Sequence, residues 1–229
     1  MSEITDIVYR NINLICEKVG RAAERSGRSE KDITIVVVTK TRSIEEIEAV
    51  LAAGVKEIGE NRVQEALGKR PAINGEFTFR LIGHLQRNKA ADAVRIFNAI
   101  DSVDSIRLGR KLSEELTAAG KTMPVLIQVN SSAEESKHGF EPNEIEAAAA
   151  EIAGMPGLDL NGIMTIGPLT DDEGEIRRAF KTTRELYERL AKTTEGFEKL
   201  SMGMSDDYEA AIEEGSNMVR IGRAVFERR

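Results

Sequence analysis

A lysine that closes a buried strand can attack a carbonyl, and residues 33–40, ITIVVVTK, put one in that position. The run is rich in β-branched residues and free of Gly and Pro, as in strands of parallel sheets covered on both faces. It ends in Thr39-Lys40-Thr41-Arg42, at the carboxyl end, where α/β sheets and barrels take their ligands. Lys40 has two readings. It is either the first solvated residue of a loop, as most strand-end lysines are, or a desolvated amine of lowered pKa that forms a Schiff base with a carbonyl compound. A second group of candidates lies near the end of the chain, where Ser201-Met202-Gly203-Met204-Ser205 and Gly222-Arg223 follow two short apolar runs. The last two loops of a barrel often hold phosphate with backbone N–H groups, a glycine for close approach and a hydroxyl. Ordinary turns use the same residues. Arg220 alternates with Val219 and Ile221 and shares a side with Met218 and Gly222, so it should face the ligand side of its strand. A guanidinium there needs acceptors, supplied by a strand-end carboxylate such as Asp101 or Glu60, or by a ligand.

The elements that must position these groups follow from hydrophobic periodicity. Ile4, Ile7, Val8, Ile15, Val19 and Ala22 form one helical stripe ahead of the first strand, closed by Gly27. Ser43 with Glu46 makes a capping box for a helix ending at Gly54. Strands are expected at 55–58, 77–82, 99–102, 123–130, 158–166, 200–201 and 218–221, with helices between them. Ser205 is expected to cap the helix after the seventh strand, and the helix before it to begin near Ile176. In 123–130, Val125, Ile127 and Val129 share one face while Gln128 and Asn130 share the other, as in a barrel whose lumen turns wet at its mouth. Eight strand–helix units predict a single (β/α)₈ TIM barrel with an extra N-terminal helix, one domain over 1–229.

Net charge is −7 over 229 residues and the pI about 5.2, with no basic run, which argues against nucleic acid and anionic membranes as partners. One cysteine, Cys16, precludes an internal disulfide, and His84 and His138 lie far apart in sequence, which argues against a metal cluster. No apolar run has signal-peptide or membrane-span length. A soluble, cytoplasmic monomer is expected.

With Lys40, Asn61, Ser201, Arg220 and Gly222 at strand ends, the chain resembles the pyridoxal phosphate homeostasis proteins, a family built like the barrel of bacterial alanine racemase. VVTKT around Lys40, IGENRVQEA around Asn61, LIGHLQRNK around His84 and LSMGMSDDYEAAIEEGSNMVRIG from Leu200 to Gly222 carry the resemblance. It implies that Lys40 holds pyridoxal 5'-phosphate as a Schiff base, that Ser201 and the amides near Gly222 and Arg223 cradle the phosphate, and that Arg220 faces the pyridine nitrogen. Asn61, His84, Met164 and Gly203 match positions lining the cofactor pocket. Arg223 departs from the small hydroxyl residue usual there, and the end, Phe226-Glu227-Arg228-Arg229, lacks the usual glycine.

An arginine keeps its proton, so a pyridine nitrogen facing it stays unprotonated and the ring is a weak electron sink. Tyr9, Tyr187 and Tyr208 read as helix residues, leaving His84 as the candidate for a second acid–base group. The resemblance therefore implies a carrier in cofactor homeostasis, with apoenzymes as recipients. The alternatives are a weak amino-acid racemase on the same cofactor and, more remotely, a Schiff-base aldolase.

Overall fold

Strand β1 (Thr34–Val38) is hydrogen-bonded on one side to β2 (Glu57–Glu60) and on the other to β8 (Met218–Ile221), and this last pairing closes the sheet. The computed structural model describes residues 2–132 and 138–228. Between β2 and β8 come β3 (Thr78–Leu81), β4 (Ala99–Val103), β5 (Met123–Val129), β6 (Leu158–Thr165) and β7 (Lys199–Ser201), in sequential order and all parallel. The helices are α1 (Glu3–Arg25), α2 (Ile44–Ala52), α3 (Val63–Lys69), α4 (Ala90–Ile96), α5 (Ile106–Ala119), α6 (Ile145–Ala153), α7 (Glu173–Leu190), α8 (Tyr208–Glu213) and α9 (Arg223–Phe226). The expected (β/α)₈ barrel with an extra leading helix is what the chain forms. No helix of the described residues is long and apolar enough to cross a membrane.

Two apolar layers separate cleanly. Val37, Ile58, Phe79, Ile100, Val125, Ile127, Ile163, Leu200, Val219 and Ile221 pack outward against the helices. Val36, Leu126, Met164 and Met218 form a small cluster of their own inside the ring, and alternation along each strand assigns the remaining lumen positions. On β5 the polar face expected from sequence, Gln128 and Asn130, continues the lumen side of Leu126.

An irregularity in β6 decides what lines that lumen. Val125 pairs with Leu160 but Leu126 pairs with Gly162, so Asn161 is an extra residue in the ladder. Leu158 and Leu160 face the helices, as does Ile163. Strict alternation from Leu158 would have put Met164 on the helix side, and the bulge turns it inward. Gly162 makes this possible, because a Cβ there would sit 2.0 Å from the Lys199 carbonyl oxygen. That oxygen is strand backbone and cannot step aside. Gly162→Ala is expected to cost at least about 3 kcal/mol, the upper end of overpacking penalties, seen as a lower midpoint in urea unfolding.

Several boundaries differ from those the sequence predicts. β1 stops at Val38, two residues before Lys40, and β2 runs over Glu57–Glu60 where apolar 55–58 was expected. The sequence pattern penalises those carboxylates, yet Glu57 pairs with Arg80 and Glu60 with Lys69, which lets both join a strand. The helix of 176–190 starts earlier, because Asp172 accepts from the Gly174 and Glu175 amides. Ser205 is not the cap of α8. Asp207 occupies that position, its carboxylate reaching back to the Met204 amide. The Ser43–Glu46 capping box forms as expected.

Helix α1 packs on α2, α8 and α9. Asn11, buried in its apolar stripe, donates to the carbonyls of Val225 (3.1 Å) and Glu227 (2.8 Å). The N-terminal helix thereby fastens α9 and, through it, the Gly222–Arg223 turn.

Candidate functional site

At the carboxyl end of β1 the chain leaves the sheet through Thr39, Lys40 and Thr41. Lys40 continues the lumen parity of Val36 and Val38, but its side chain is exposed. The expectation of a desolvated amine is corrected. The strand ladder ends before it, and Thr41 turns left-handed at φ 63°, which leaves the lysine at the rim. A β-branched residue in that conformation costs about 1–2 kcal/mol, so the turn must be held from outside. Glu65 accepts from the Thr41 amide, and the Thr41 hydroxyl donates to the Lys40 carbonyl at 2.6 Å. The Lys69 ammonium donates to the Thr39 carbonyl (2.8 Å), Glu60 (2.9 Å) and Glu65 (2.6 Å), and the Thr39 hydroxyl to Glu60 at 2.8 Å. The backbone under Lys40 is thus braced while its amine stays accessible. Lys69 was not singled out from sequence, although its i,i+4 spacing from Glu65 was visible.

Glu60 carries a pH signature. Burial pushes its carboxyl above the ordinary 4.5, against the bonds from Lys69 and Thr39, which hold it down. A carboxyl raised on folding favours the protein fully below the unfolded value, and that contribution is lost as pH rises through the folded one. Relative to Glu60→Gln, the wild type should lose stability progressively as pH climbs from about 4.5, read from chemical unfolding of both proteins across pH.

Inside the ring, Arg220 is buried and donates to the Ser201 hydroxyl at 2.6 Å and to the Thr165 carbonyl at 2.7 Å. Burial lowers its pKa, with the charges of Asp101 and Asp207 opposing. The carboxylates considered as its direct partners lie elsewhere: Glu60 serves Lys69, and Asp101 accepts from Arg80 at 2.7 Å. Arg80, which also donates to Glu57 at 2.6 Å, was missed. Its alternation with Phe79 and Leu81 marks it as inward-facing, and that signal was available. Asp101 is fully buried, its carboxyl pushed up by burial against the pull of Arg80, and its second oxygen has no hydrogen-bond partner.

The two turns after β7 and β8 are locked together. Gly203 has φ 97°, and a Cβ on it would meet Ala211 at 2.5 Å; its carbonyl accepts from the Arg220 amide at 3.0 Å. Ser205 accepts from the Ala224 amide at 3.4 Å, tying one turn to the other. Gly222 precedes α9, packed against Val38 of β1. Arg223 is exposed and ion-paired with Asp206 and Glu227. Ser201 is fully buried, and its oxygen accepts from Arg220 while its hydrogen remains a donor.

Asn61 follows β2 at the rim, with Gly83 lying flat on it; a Cβ on Gly83 would be 2.4 Å from the Asn61 carbonyl oxygen. Met164 is fully buried in the lumen cluster. His84 is exposed, its Nδ1 2.7 Å from an Asp104 carboxylate oxygen, and it stacks on His138 with ring centroids 3.8 Å apart. The histidines' separation in sequence did not foretell this contact, and the expectation that they stay apart is corrected.

A closed parallel barrel with a strand-end lysine, a lumen arginine and two glycine turns at one mouth has the layout in which α/β barrels frequently take phosphate. The profile of the alanine racemase N-terminal domain matches residues 17–228. A Pseudomonas aeruginosa protein named pyridoxal phosphate homeostasis protein is 36% identical over 220 residues, 96% of this chain and 94% of that one. A structure from Bifidobacterium adolescentis, described as an unknown protein, superposes with TM-score 0.91 at 37% identity, covering 99% of this chain and 97% of the other. PipY of Synechococcus elongatus, solved with PLP bound, gives 0.79 at 29% identity over 90% of this chain and all of that one. The chain belongs to the pyridoxal phosphate homeostasis protein family, whose barrel is the alanine racemase N-terminal domain.

Proposed function

We propose that this protein binds pyridoxal 5'-phosphate covalently through the Lys40 amine, as a Schiff base, and serves in the intracellular homeostasis of that cofactor as a monomeric cytoplasmic carrier. The observation that carries the reading is the braced turn at Thr39–Thr41, which presents an accessible amine on the lumen side of the mouth. The donor set fits the cofactor: an amine for the aldehyde, a buried guanidinium for the ring, and two glycine turns with Ser201 for the phosphate. When bound, the cofactor supplies the carbonyl that captures the amine and a ring able to withdraw electrons.

The chain's own groups support holding over turnover. Arg220 retains its proton at neutral pH, so it offers the ring a fixed positive charge and no exchangeable acid. Ser201 and Thr165 hold that guanidinium in place. Among the tyrosines, Tyr9 is exposed on α1, Tyr187 donates to the Glu198 carbonyl beside the first residue of β7, and Tyr208 is buried at the start of α8. None has the strand-end position of a second acid–base group. Lys40's exposure also suits exchange with acceptor apoenzymes, since a bond that must be remade needs water and partners to reach it.

Incubation of the purified protein with pyridoxal phosphate, followed by desalting, should leave one equivalent attached with a visible absorption band. Amino acids offered in deuterated solvent should then show no exchange at the α-carbon. Failure to retain the cofactor overturns the reading; α-deuteration that persists in the wild type and disappears in His84→Ala would favour the racemase instead.

A further inference from the structure

The geometry points to a divalent transition-metal site on the barrel rim, formed by the imidazoles of His84 and His138 and the carboxylate of Asp104, with Zn²⁺ as the ion it suits. The three residues come from segments after three successive strands, β3, β4 and β5. Each offers one ligand atom, and these atoms lie within 4.8 Å of one another. Both Nδ1 atoms converge on the same Asp104 oxygen, His84 at 2.7 Å and His138 at 4.0 Å. Metal–ligand distances of about 2.0–2.2 Å at tetrahedral angles place donor atoms about 3.3–3.5 Å apart. One contact must open and the other close, each by about 0.5–0.8 Å, and rotation of an exposed imidazole about its side-chain torsions provides that.

Two observations separate this cluster from a chance meeting of surface side chains. Both Nδ1 atoms face one carboxylate oxygen although the rings stack nearly parallel at 10°; an ion lying in the plane of both rings requires one imidazole to turn out of that stack, which the exposure of both side chains allows. The backbone carrying His138 is also fixed. Gln128 donates to the His138 carbonyl at 2.8 Å, the Phe140 amide to the Gln128 carbonyl at 2.8 Å, and the Asn130 amide to the Phe140 carbonyl at 2.9 Å. Gly139 between them, at φ 136°, lies so close to β5 that a Cβ would be 2.7 Å from the Asn130 nitrogen. Asp104 is largely buried while both imidazoles reach solvent, so the anion is pre-placed and the nitrogens are accessible.

Two nitrogens and one oxygen make a set suited to zinc and leave a fourth position open. His84 and Asp104 border a cavity of about 860 Å³, with Arg87 and Arg107 also on its wall, so the fourth ligand there is water or an anion. The site shares His84 with the residues expected to line the cofactor pocket, but it does not depend on cofactor binding.

Calorimetric titration of ZnCl₂ into the tag-free protein as purified, at micromolar concentration, should show one equivalent bound. His84→Ala and His138→Ala should each bind at least about tenfold more weakly, since even residues that only orient a ligand cost that much. Asp104→Asn should do the same, and thermal melts establish that each variant is folded. A wild type that takes up no zinc under these conditions, or any one of the three folded variants binding as tightly as wild type, overturns the assignment. Both outcomes are independent of whether the protein retains pyridoxal phosphate.

Discussion

Lys40→Ala abolishes the visible absorption band of protein reconstituted with pyridoxal phosphate, while its melting temperature stays close to that of the cofactor-free wild type. The optical effect is complete because the band requires a covalent partner, and the other lysine near the turn, Lys69, is committed to the Thr39 carbonyl, Glu60 and Glu65. The stability effect is small because the Lys40 side chain is exposed, and such substitutions fall within about ±0.5 kcal/mol. The strain at Thr41 and the bonds that brace it belong to the backbone and to neighbours, so they survive the substitution. Absorbance spectra and melts of the two proteins, side by side, check both halves. A variant that stays coloured would move the attachment to another amine.

Arg80→Ala produces the largest loss of stability, about 3–5 kcal/mol, the range for removing one partner of a buried ion pair. Arg80 is the group that compensates the fully buried Asp101, at 2.7 Å, and it also holds Glu57. Without it, only the charge of Arg220 opposes burial at Asp101, and its carboxyl, already above the ordinary 3.8, rises further. A carboxyl raised on folding destabilises increasingly as pH climbs through its folded value. Arg80→Ala should therefore be less impaired at pH 5 than at pH 8, measured as the difference in urea midpoint from wild type. The pair Arg80→Met with Asp101→Leu should recover part of the loss, because apolar replacement of a whole buried pair is tolerated better than breaking it.

What could be read from sequence alone follows the range of the interactions involved. The buried strand ahead of Lys40 rests on its β-branched run, the inward parity of Arg220 on local alternation, and the Ser43–Glu46 cap on a four-residue pattern; all three hold, although that strand ends at Val38. The barrel follows from eight repeats of one unit. The bulge at Asn161 that turns Met164 inward was not legible, because it depends on how Gly162 nestles against the Lys199 carbonyl of the next strand. Arg80 was legible in principle, since it alternates with Phe79 and Leu81, but an arginine in the middle of a short strand looks like an interruption until Asp101 and Glu57 are seen beside it. The exposure of Lys40 is set by where the ladder stops and by a left-handed threonine, neither of which composition encodes. The meeting of His84 and His138 arises only when β3 and β5 are brought to the same rim. Ser205 resembled a helix cap in every local respect, yet its hydroxyl accepts from the Ala224 amide of the neighbouring turn, and Asp207 takes the cap position with its carboxylate on the Met204 amide.

The attachment of the cofactor at one named amine is tested most directly by reducing the reconstituted protein with borohydride and mapping its peptides by mass. The account predicts a single modified peptide, the one containing Lys40, heavier by one reduced pyridoxyl phosphate group. Modification at Lys69, Lys89 or any other lysine in place of Lys40, or no stable adduct at all, would contradict it.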